Sequence, residues 1–421
     1  MNIGIIGSGG REHALCFKLK LSKIVDKIYC FPGNAGTNLI AENINIDPNN
    51  FEGIKKISEE KKIELLVVGP EKPLVDGITD YFKNTNIKIF GPNKISSQLE
   101  GSKIFTKKLC KKYNIPTSKF DIFYDRFSAL NFLSNVNFPL VIKADGLAAG
   151  KGVYICNSQS DSINAVNEIF NGRFGKTDCV LVEEFLKGEE MSYFVISDGK
   201  TYKSFQTAQD HKRVGEGDLG KNTGGMGAYS PSRLEDSELE NKINEKIINP
   251  TLKGLKALNS EYVGFLYIGL MIIENEPFLI EFNVRMGDPE CQTILPLLNS
   301  DLGEIIYSCC TKNLSLTKID WSDKKSLCIV LCSKGYPDKY EKNVIIENLE
   351  KLKLNNDQFI FHAGTKLFEN KFMAIGGRVL NIVVTSNNFN ECKNKAIKIL
   401  EDINWSKGFY RKDIGYKVVS Q

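Results

Sequence analysis

The run FLIEFNVRMGDPE, residues 278–290, sets Glu281, Asn283 and Arg285 at alternate positions of an apolar segment. Alternate residues of a strand share a face, so these three project together, while Ile280, Phe282, Val284 and Met286 project to the other side. A carboxylate beside an amide oxygen suits a hard divalent cation that completes its shell with water and phosphate oxygens. A guanidinium next to them suits a carboxylate or phosphoryl group held by two parallel hydrogen bonds. The same pattern also describes the solvated face of an amphipathic strand, although such a face more often carries Thr, Ser or Lys. A second run, VIKADGLAAGKGV at 141–153, places Lys143 and Lys151 around Gly146, Gly150 and Gly152. Bare backbone and lysine together suit a phosphate. The P-loop pattern fails, however, because Asp145 stands where its first glycine belongs and Gly152 where its magnesium-binding hydroxyl belongs. The loop fits a nucleotide site of another kind, with its metal ligands elsewhere in the chain.

VLVEEFLKGEEMS, residues 180–192, runs a strand-like segment into Glu183, Glu184 and Phe185, with Glu189 and Glu190 after a glycine. Backbone at such a strand end can read a base edge while a carboxylate accepts ribose hydroxyls. The plain alternative, exposed acids at a strand-loop junction, fits Glu184 and Glu189. At the N-terminus, GIIGSGGREHA approaches a dinucleotide fingerprint, but after Gly7 and Gly9 the third glycine is replaced by Glu12. The second strand ends in Phe31-Pro32-Gly33, without the acid that would bind a ribose, which argues against a Rossmann oxidoreductase. A phosphate on the following helix start, through Gly9 and Gly10, remains open. Of the three histidines, His211 in a Gly-rich stretch is either an acid-base group or a loop residue with ordinary hydrogen bonds. No Cys/His spacing suits zinc and no Ser-His-Asp arrangement is defensible.

These motifs need rigid elements behind them. NIGIIG, KIYCFPG, ELLVVGP and IKIFGP are short apolar runs ending in Gly or Pro and separated by helix-like segments, which predicts a parallel α/β sheet with ligands at its carboxyl end. From residue 102 the pattern becomes α+β, with strands at FPLVIKADG, CVLVEEFL, MSYFVIS, TYKSFQTA, GFLYIGLMII and PFLIEFNV and a hairpin turn at Asp198-Gly199. Residues 209–231 are too long for an ordinary connection and read as a lid or a disordered loop. The last ninety or so residues read as a strand-rich unit with a helix at ECKNKAIKILED. The expected organisation is α/β and α+β multidomain: an N-terminal α/β unit over 1–101, a central unit over 102–312 with a flap at about 116–190, and a C-terminal unit over 326–421.

At 421 residues the chain exceeds one ordinary core. A net charge of +4, spread along the sequence, makes no case for nucleic acid or membrane surfaces, and 42% hydrophobic with 25% charged residues is ordinary for a globular protein. Eleven cysteines without a C-x-x-C pair or a secretory leader suggest reduced thiols and a cytoplasmic setting.

Taken in order, GSGGREHA, VVGPEKPLVDG, VIKADGLAAGKGV, VEEFLKGEEMS, DHKRVGEGD, NTGGMGAYSP and IEFNVRMGDPE resemble the phosphoribosylamine–glycine ligase family, the glycinamide ribonucleotide synthetases of the ATP-grasp superfamily. The resemblance spans essentially the whole chain, with Met286 where Phe or Leu is more usual, and the chain looks like the monofunctional bacterial type. It implies a pre-ATP-grasp domain, an ATP-grasp domain and a C-terminal domain. The implied reaction takes ATP, glycine and 5-phosphoribosylamine to glycinamide ribonucleotide, ADP and phosphate through glycyl phosphate, in purine biosynthesis. It implies one or two Mg²⁺ or Mn²⁺ ions on Glu281 and Asn283, and ATP on Lys103, Lys143, Gly146, Gly150, Lys151, Gly152, Glu183, Glu184, Phe185 and Glu190. Gly9, Gly10, Arg11, Glu71, Asp210, Lys212, Arg213, Gly224 and Asp288 are the expected substrate contacts, with Arg285 and Lys143 at the chemistry. A monomer is expected, with no nucleic-acid or membrane partner and at most transient contact with neighbouring purine-pathway enzymes. Another ATP-grasp carboxylate–amine ligase is the alternative, since only the GREHA and GPEKPL loops separate the two.

Overall fold

The computed structural model of the chain describes residues 1–147, 152–175 and 177–419. Gly150 and Lys151, two of the expected phosphate contacts, lie outside the described residues.

The four N-terminal apolar runs form a parallel sheet in the order Glu42–Asn43, Lys27–Pro32, Asn2–Gly7, Ile63–Val68, Lys88–Phe90, the first being a short edge strand not legible in the sequence. These runs are continuously apolar because both sheet faces are covered. Ile3, Ile5, Leu65 and Val67 enter one core, and Ile6, Leu66 and Val68 enter another. Gly7 ends the strand Asn2–Gly7, and Gly69 follows Ile63–Val68.

That unit contains two antiparallel sheets. One holds Tyr202–Ser204, Glu189–Asp198, Val263–Ile273 and Glu276–Asn283 in that order. Its first hairpin turns one residue later than expected: Asp198 N–H donates to Thr201 at 3.1 Å, so Gly199 (φ +87°) and Lys200 are the turn residues. The other sheet, ordered Phe120–Phe123, Val180–Glu184, Leu140–Ala144, Val153–Cys156, packs on the helices Arg126–Leu133 and Gln159–Phe170. It has its own core, centred on Leu133, Ile142, Val166, Ile169 and Val180. No helix among the described residues is long and apolar enough to cross a membrane.

Residues 209–231 are not the free lid that their composition suggests. Gln209–Asp210 and Gly227–Ser230 pair with each other, and the latter pairs with Lys325–Ser333 of the C-terminal sheet, which continues through Arg378–Ser386 and Gln358–His362. Only Arg213–Gly215 and Leu219–Asn222 stand outside that sheet, as a two-stranded hairpin. The helix Phe389–Ile403, capped by Asn388 and ended by Asn404 in the left-handed region, covers the C-terminal sheet. The fold is thus the multidomain α/β and α+β arrangement expected, with the central and C-terminal units sewn together by one sheet.

Candidate active site

Ser102 caps the helix Lys103–Tyr113, its Oγ accepting from Phe105 N–H at 3.1 Å. Asp145, the residue that breaks the P-loop pattern, accepts from the same Ser102 hydroxyl at 3.1 Å and from Ile104 N–H at 3.2 Å. This carboxylate ties the turn after Leu140–Ala144 to the helix start. Lys103 adds to the tie by donating to the Gly146 carbonyl at 2.9 Å, and Gly146 sits at φ +89°, where a side chain would be strained. Burial lowers the pKa of Lys103.

One turn along the same helix, Lys107 is buried and donates to the hydroxyls of Thr117 and Ser118 at 2.6 and 2.8 Å. Glu183 lies between Lys107 and Lys143, at 3.2 and 3.0 Å, and accepts from Ser118 Oγ at 2.6 Å. Burial alone would raise its pKa, but Lys143 and Lys107 overcome this and hold it below the ordinary glutamate range. Glu183 therefore neutralises both lysines at the wall of the cavity. Glu184 is exposed and accepts from Lys119 N–H at 2.8 Å, while Phe185 is partly exposed beside it.

The strand Glu276–Asn283 carries a bulge: Leu279 pairs with Leu270 and Glu281 with Gly269, leaving Ile280 as the extra residue. Phe282, Val284 and Met286 are buried as expected, whereas Ile280 turns to the cavity side with Glu281 and Asn283. Arg285 is engaged by the chain's own acids: Nε donates to Glu71 at 3.0 Å and Nη2 to Glu100 at 2.6 Å. The two-pronged face expected to await a substrate carboxylate is filled in this structure. Arg285 draws Glu71 down to about 2, and burial lifts Glu100 to about 7 despite the guanidinium. Glu100 also accepts from Val284 N–H at 2.8 Å, fixing the bend that follows the strand's last residue, Asn283, and carries Arg285, which the sequence pattern places on the strand itself.

The N-terminal helix start is likewise occupied. Gly9 N–H donates to Glu12 at 2.5 Å and Arg11 N–H to Asp288 at 3.2 Å, while the Arg11 guanidinium donates to the Gly69 carbonyl at 3.0 Å. A Cβ on Gly10 would lie 2.5 Å from both Asn381 Nδ2 and Gln292 Nε2, so this glycine serves close packing against the C-terminal unit. Arg11 lines the cavity while Gly9 and Gly10, expected to seat a phosphate, are set back behind it, with the Gly9 and Arg11 amides engaged by the chain's own acids. Opposite lie Glu190 and Lys212, paired at 2.9 Å, with Lys212 holding the Glu190 carboxyl below its usual range. Asp210 Oδ1 is buried without a hydrogen-bond partner among the described residues, and burial together with Glu290 raises its pKa. The Gly224 carbonyl accepts from Arg378 at 2.6 Å, and Arg378 also pairs with Asp288 at 3.2 Å. His211 is buried away from the cavity, accepts from Gly415 N–H at 3.2 Å, and is pushed down to about 4 by burial and Arg411. This favours the ordinary hydrogen-bonding residue over the acid-base group.

One cavity of about 680 Å³ gathers Arg11, Glu71, Lys103, Lys143, Gly146, Gly152, Glu183, Glu184, Phe185, Glu190, Asp210, Lys212, Arg213, Gly224, Glu281, Asn283, Arg285 and Asp288. Family models of phosphoribosylglycinamide synthetase match the chain in three consecutive segments: the N domain over 1–100, the ATP-grasp (A) domain over 101–291 and the C domain over 326–417. The chain belongs to the phosphoribosylglycinamide synthetase family. Relatives named phosphoribosylamine–glycine ligase include that of Brucella melitensis, 43% identical over 100% of this chain and 99% of its own. That of Haemophilus influenzae is 45% identical with the same coverage. The solved structure of the Thermotoga maritima phosphoribosylamine–glycine ligase superposes with a TM-score of 0.85 at 32% identity, covering 99% of this chain and 100% of that one.

Each synthetase segment supplies walls of the cavity: Arg11, Glu71 and Glu100 from the N segment, the lysines and Glu281 with Asn283 from the ATP-grasp segment, Arg378 and Lys417 from the C segment. Sequence reasoning missed Glu100, Lys107, Arg378 and Lys417. A charged residue opening an apolar strand, as in GGRVLNIV, was the only available signal for Arg378. It also missed an apolar wall of Val141, Ile155, Leu186, Met271 and Ile280, whose residues look like ordinary core in sequence.

Proposed function

We propose that this chain joins glycine to 5-phosphoribosylamine at the expense of ATP, giving glycinamide ribonucleotide, ADP and phosphate. The observation that carries this reading is the match of all three synthetase segments, in order, to a chain with one cavity that draws residues from each. In this reading the apolar wall from Val141 to Ile280 receives the adenine, and Glu190 lies at the ribose. Lys103 and Lys143 neutralise the phosphates. Glu281 and Asn283 present two oxygen donors side by side on the cavity face of one strand, which fits Mg²⁺ or Mn²⁺. When bound, that ion supplies charge neutralisation at the transferring phosphoryl group.

Glycine's carboxylate attacks the γ-phosphorus and ADP leaves. The amine of phosphoribosylamine then attacks the carbonyl carbon of glycyl phosphate and inorganic phosphate leaves. A carboxylate is already a nucleophile, so alignment and charge neutralisation do most of the catalysis and no strong base is required. Asp210, with its unpartnered buried oxygen, suits the cationic amino group of a substrate. Arg285, braced by Glu71, Glu100 and the Met286 carbonyl, holds the chain end next to Asn283 in register and contributes positive charge beside the glycyl carboxylate. ADP release should require both glycine and phosphoribosylamine generated in situ. Equal release with other amino acids or amines, or release independent of glycine, would indicate a different ATP-grasp ligase.

A further inference from the structure

The hairpin Arg213–Gly215/Leu219–Asn222 forms one rim of the cavity, to which it and the following turn contribute Arg213, Asp218, Asn222, Thr223 and Gly224. Its strands pair only with each other, and Leu219 at its turn is 69% exposed. An isolated two-stranded hairpin is marginally stable at best in water, so something else must hold this rim in place.

Lys221 reaches Asp338 at 2.8 Å, and Gly224 is met by Tyr336 at 3.1 Å and Arg378 at 2.6 Å, but most of the contacts to the strands and their turn come from the far end of the chain. Residues 411–417 have no regular secondary structure, yet they bond to the hairpin repeatedly. Arg411, 1% exposed, donates to the Arg213 carbonyl at 2.9 Å and to Asp218 at 2.8 Å, and its other edge is held by Asp413 at 2.6 and 2.8 Å. Asp413 in turn accepts from Gly217 N–H at 2.8 Å, Lys412 N–H donates to Glu216 at 3.0 Å, and Tyr416 donates to Asp218 at 2.8 Å. Farther along, Lys417 reaches Glu189 at 3.3 Å and itself lines the cavity. Arg411 thus has its whole guanidinium spent on shape: it satisfies a carbonyl inside one hairpin strand and an acid at the turn, with a fork that lysine cannot reproduce.

We propose that segment 411–417 is a positioning strap of the active site, with Arg411 as the positioning residue that fixes Arg213 and the 218–224 rim over bound substrate. This builds on the ligase reading above. The strap acts through the hairpin and touches no reacting atom.

The test combines hydrogen exchange of residues 213–222 with steady-state kinetics in Arg411→Lys, Tyr416→Phe and a control, Lys395→Met. Lys395 belongs to the same C-terminal unit, pairs with Asp357 and Glu391, and does not line the active-site cavity. Arg411→Lys and Tyr416→Phe should raise hairpin exchange and lower kcat/KM about tenfold in fully folded protein, with the control near wild type in both. Should Arg411→Lys fail to fold, Tyr416→Phe decides the matter, because its ring is 44% exposed and only the hydroxyl is removed. Unchanged hairpin exchange would overturn the strap, and faster exchange with wild-type turnover would overturn its role in catalysis. A wild-type protein without ligase turnover would remove the ligase reading, and the exchange measurement would still decide whether the strap orders the rim.

Discussion

Replacing Glu183 with Gln should loosen the flap sheet by about 3 kcal/mol, the lower end of the range for breaking a buried ion pair. Glu183 is buried with Lys107 at 3.2 Å and Lys143 at 3.0 Å, both also buried, so neutralising it leaves two ammonium groups without their shared counter-charge. Glutamine keeps the volume and can still accept from Ser118, which is why the cost stays at the lower end. At 1.4 kcal/mol per factor of ten, this is roughly a hundredfold loss of protection. Hydrogen exchange in Leu140–Ala144 and Val180–Glu184 reads it directly, since these strands flank the carboxylate and belong to the unit with its own core. The pH dependence has a definite sign. Glu183 titrates below the ordinary glutamate range when folded, so its contribution is complete above that range and is lost as pH falls through the folded value. Wild-type protection should therefore decline on acidification across this window and the Gln variant should lack that component. Protection within about threefold of wild type, or an unchanged acid profile, would refute the reasoning that Glu183 is the counter-charge of both lysines.

Asn283→Leu should leave the melting temperature unchanged and lower kcat by roughly a hundredfold or more at saturating Mg²⁺, because it deletes the oxygen proposed to bind the metal and nothing from the packing face of Phe282 and Val284. Near-normal turnover would return Glu281 and Asn283 to the solvated-face reading. Glu100→Gln should cost about 2 kcal/mol in chemical denaturation well above pH 7, where the carboxylate is ionised and its hydrogen bond to Arg285 is charged on both sides, and kcat should fall with it as the chain at 283–285 loosens. Gly10→Ala should destabilise by about 1–3 kcal/mol in thermal unfolding, with the KM for ATP unchanged, because its Cβ meets Asn381 and Gln292 at 2.5 Å.

What the sequence disclosed is what period-two alternation and turn chemistry can disclose. Glu281 and Asn283 reach one cavity because alternate strand residues share a face, and the four N-terminal runs are strands because Val, Ile and Leu end abruptly at Gly or Pro. The alternation failed at Ile280, where a bulge that no residue type announces moves an apolar side chain to the cavity. The pairing of Glu183 with Lys107 and Lys143 was not legible because both lysines lie far away in sequence, and pairing across such distances leaves no local mark. Glu100 was invisible for the same reason. Gly9 and Gly10 invited a phosphate reading, yet the local amides are met by Glu12 and Asp288 and the missing Cβ admits Asn381. Residues 209–231 looked like a lid by length and glycine content, and their strands were recognisable only by pairing with Lys325–Ser333, about a hundred residues later.

Glycine labelled with oxygen-18 at both carboxylate positions tests the proposed reaction most directly, since the phosphate must carry away the oxygen through which glycine attacked. One labelled oxygen should appear in the released phosphate for each turnover and the other should remain in the amide of glycinamide ribonucleotide. Phosphate free of label, with product formed, would contradict attack of the glycine carboxylate on ATP.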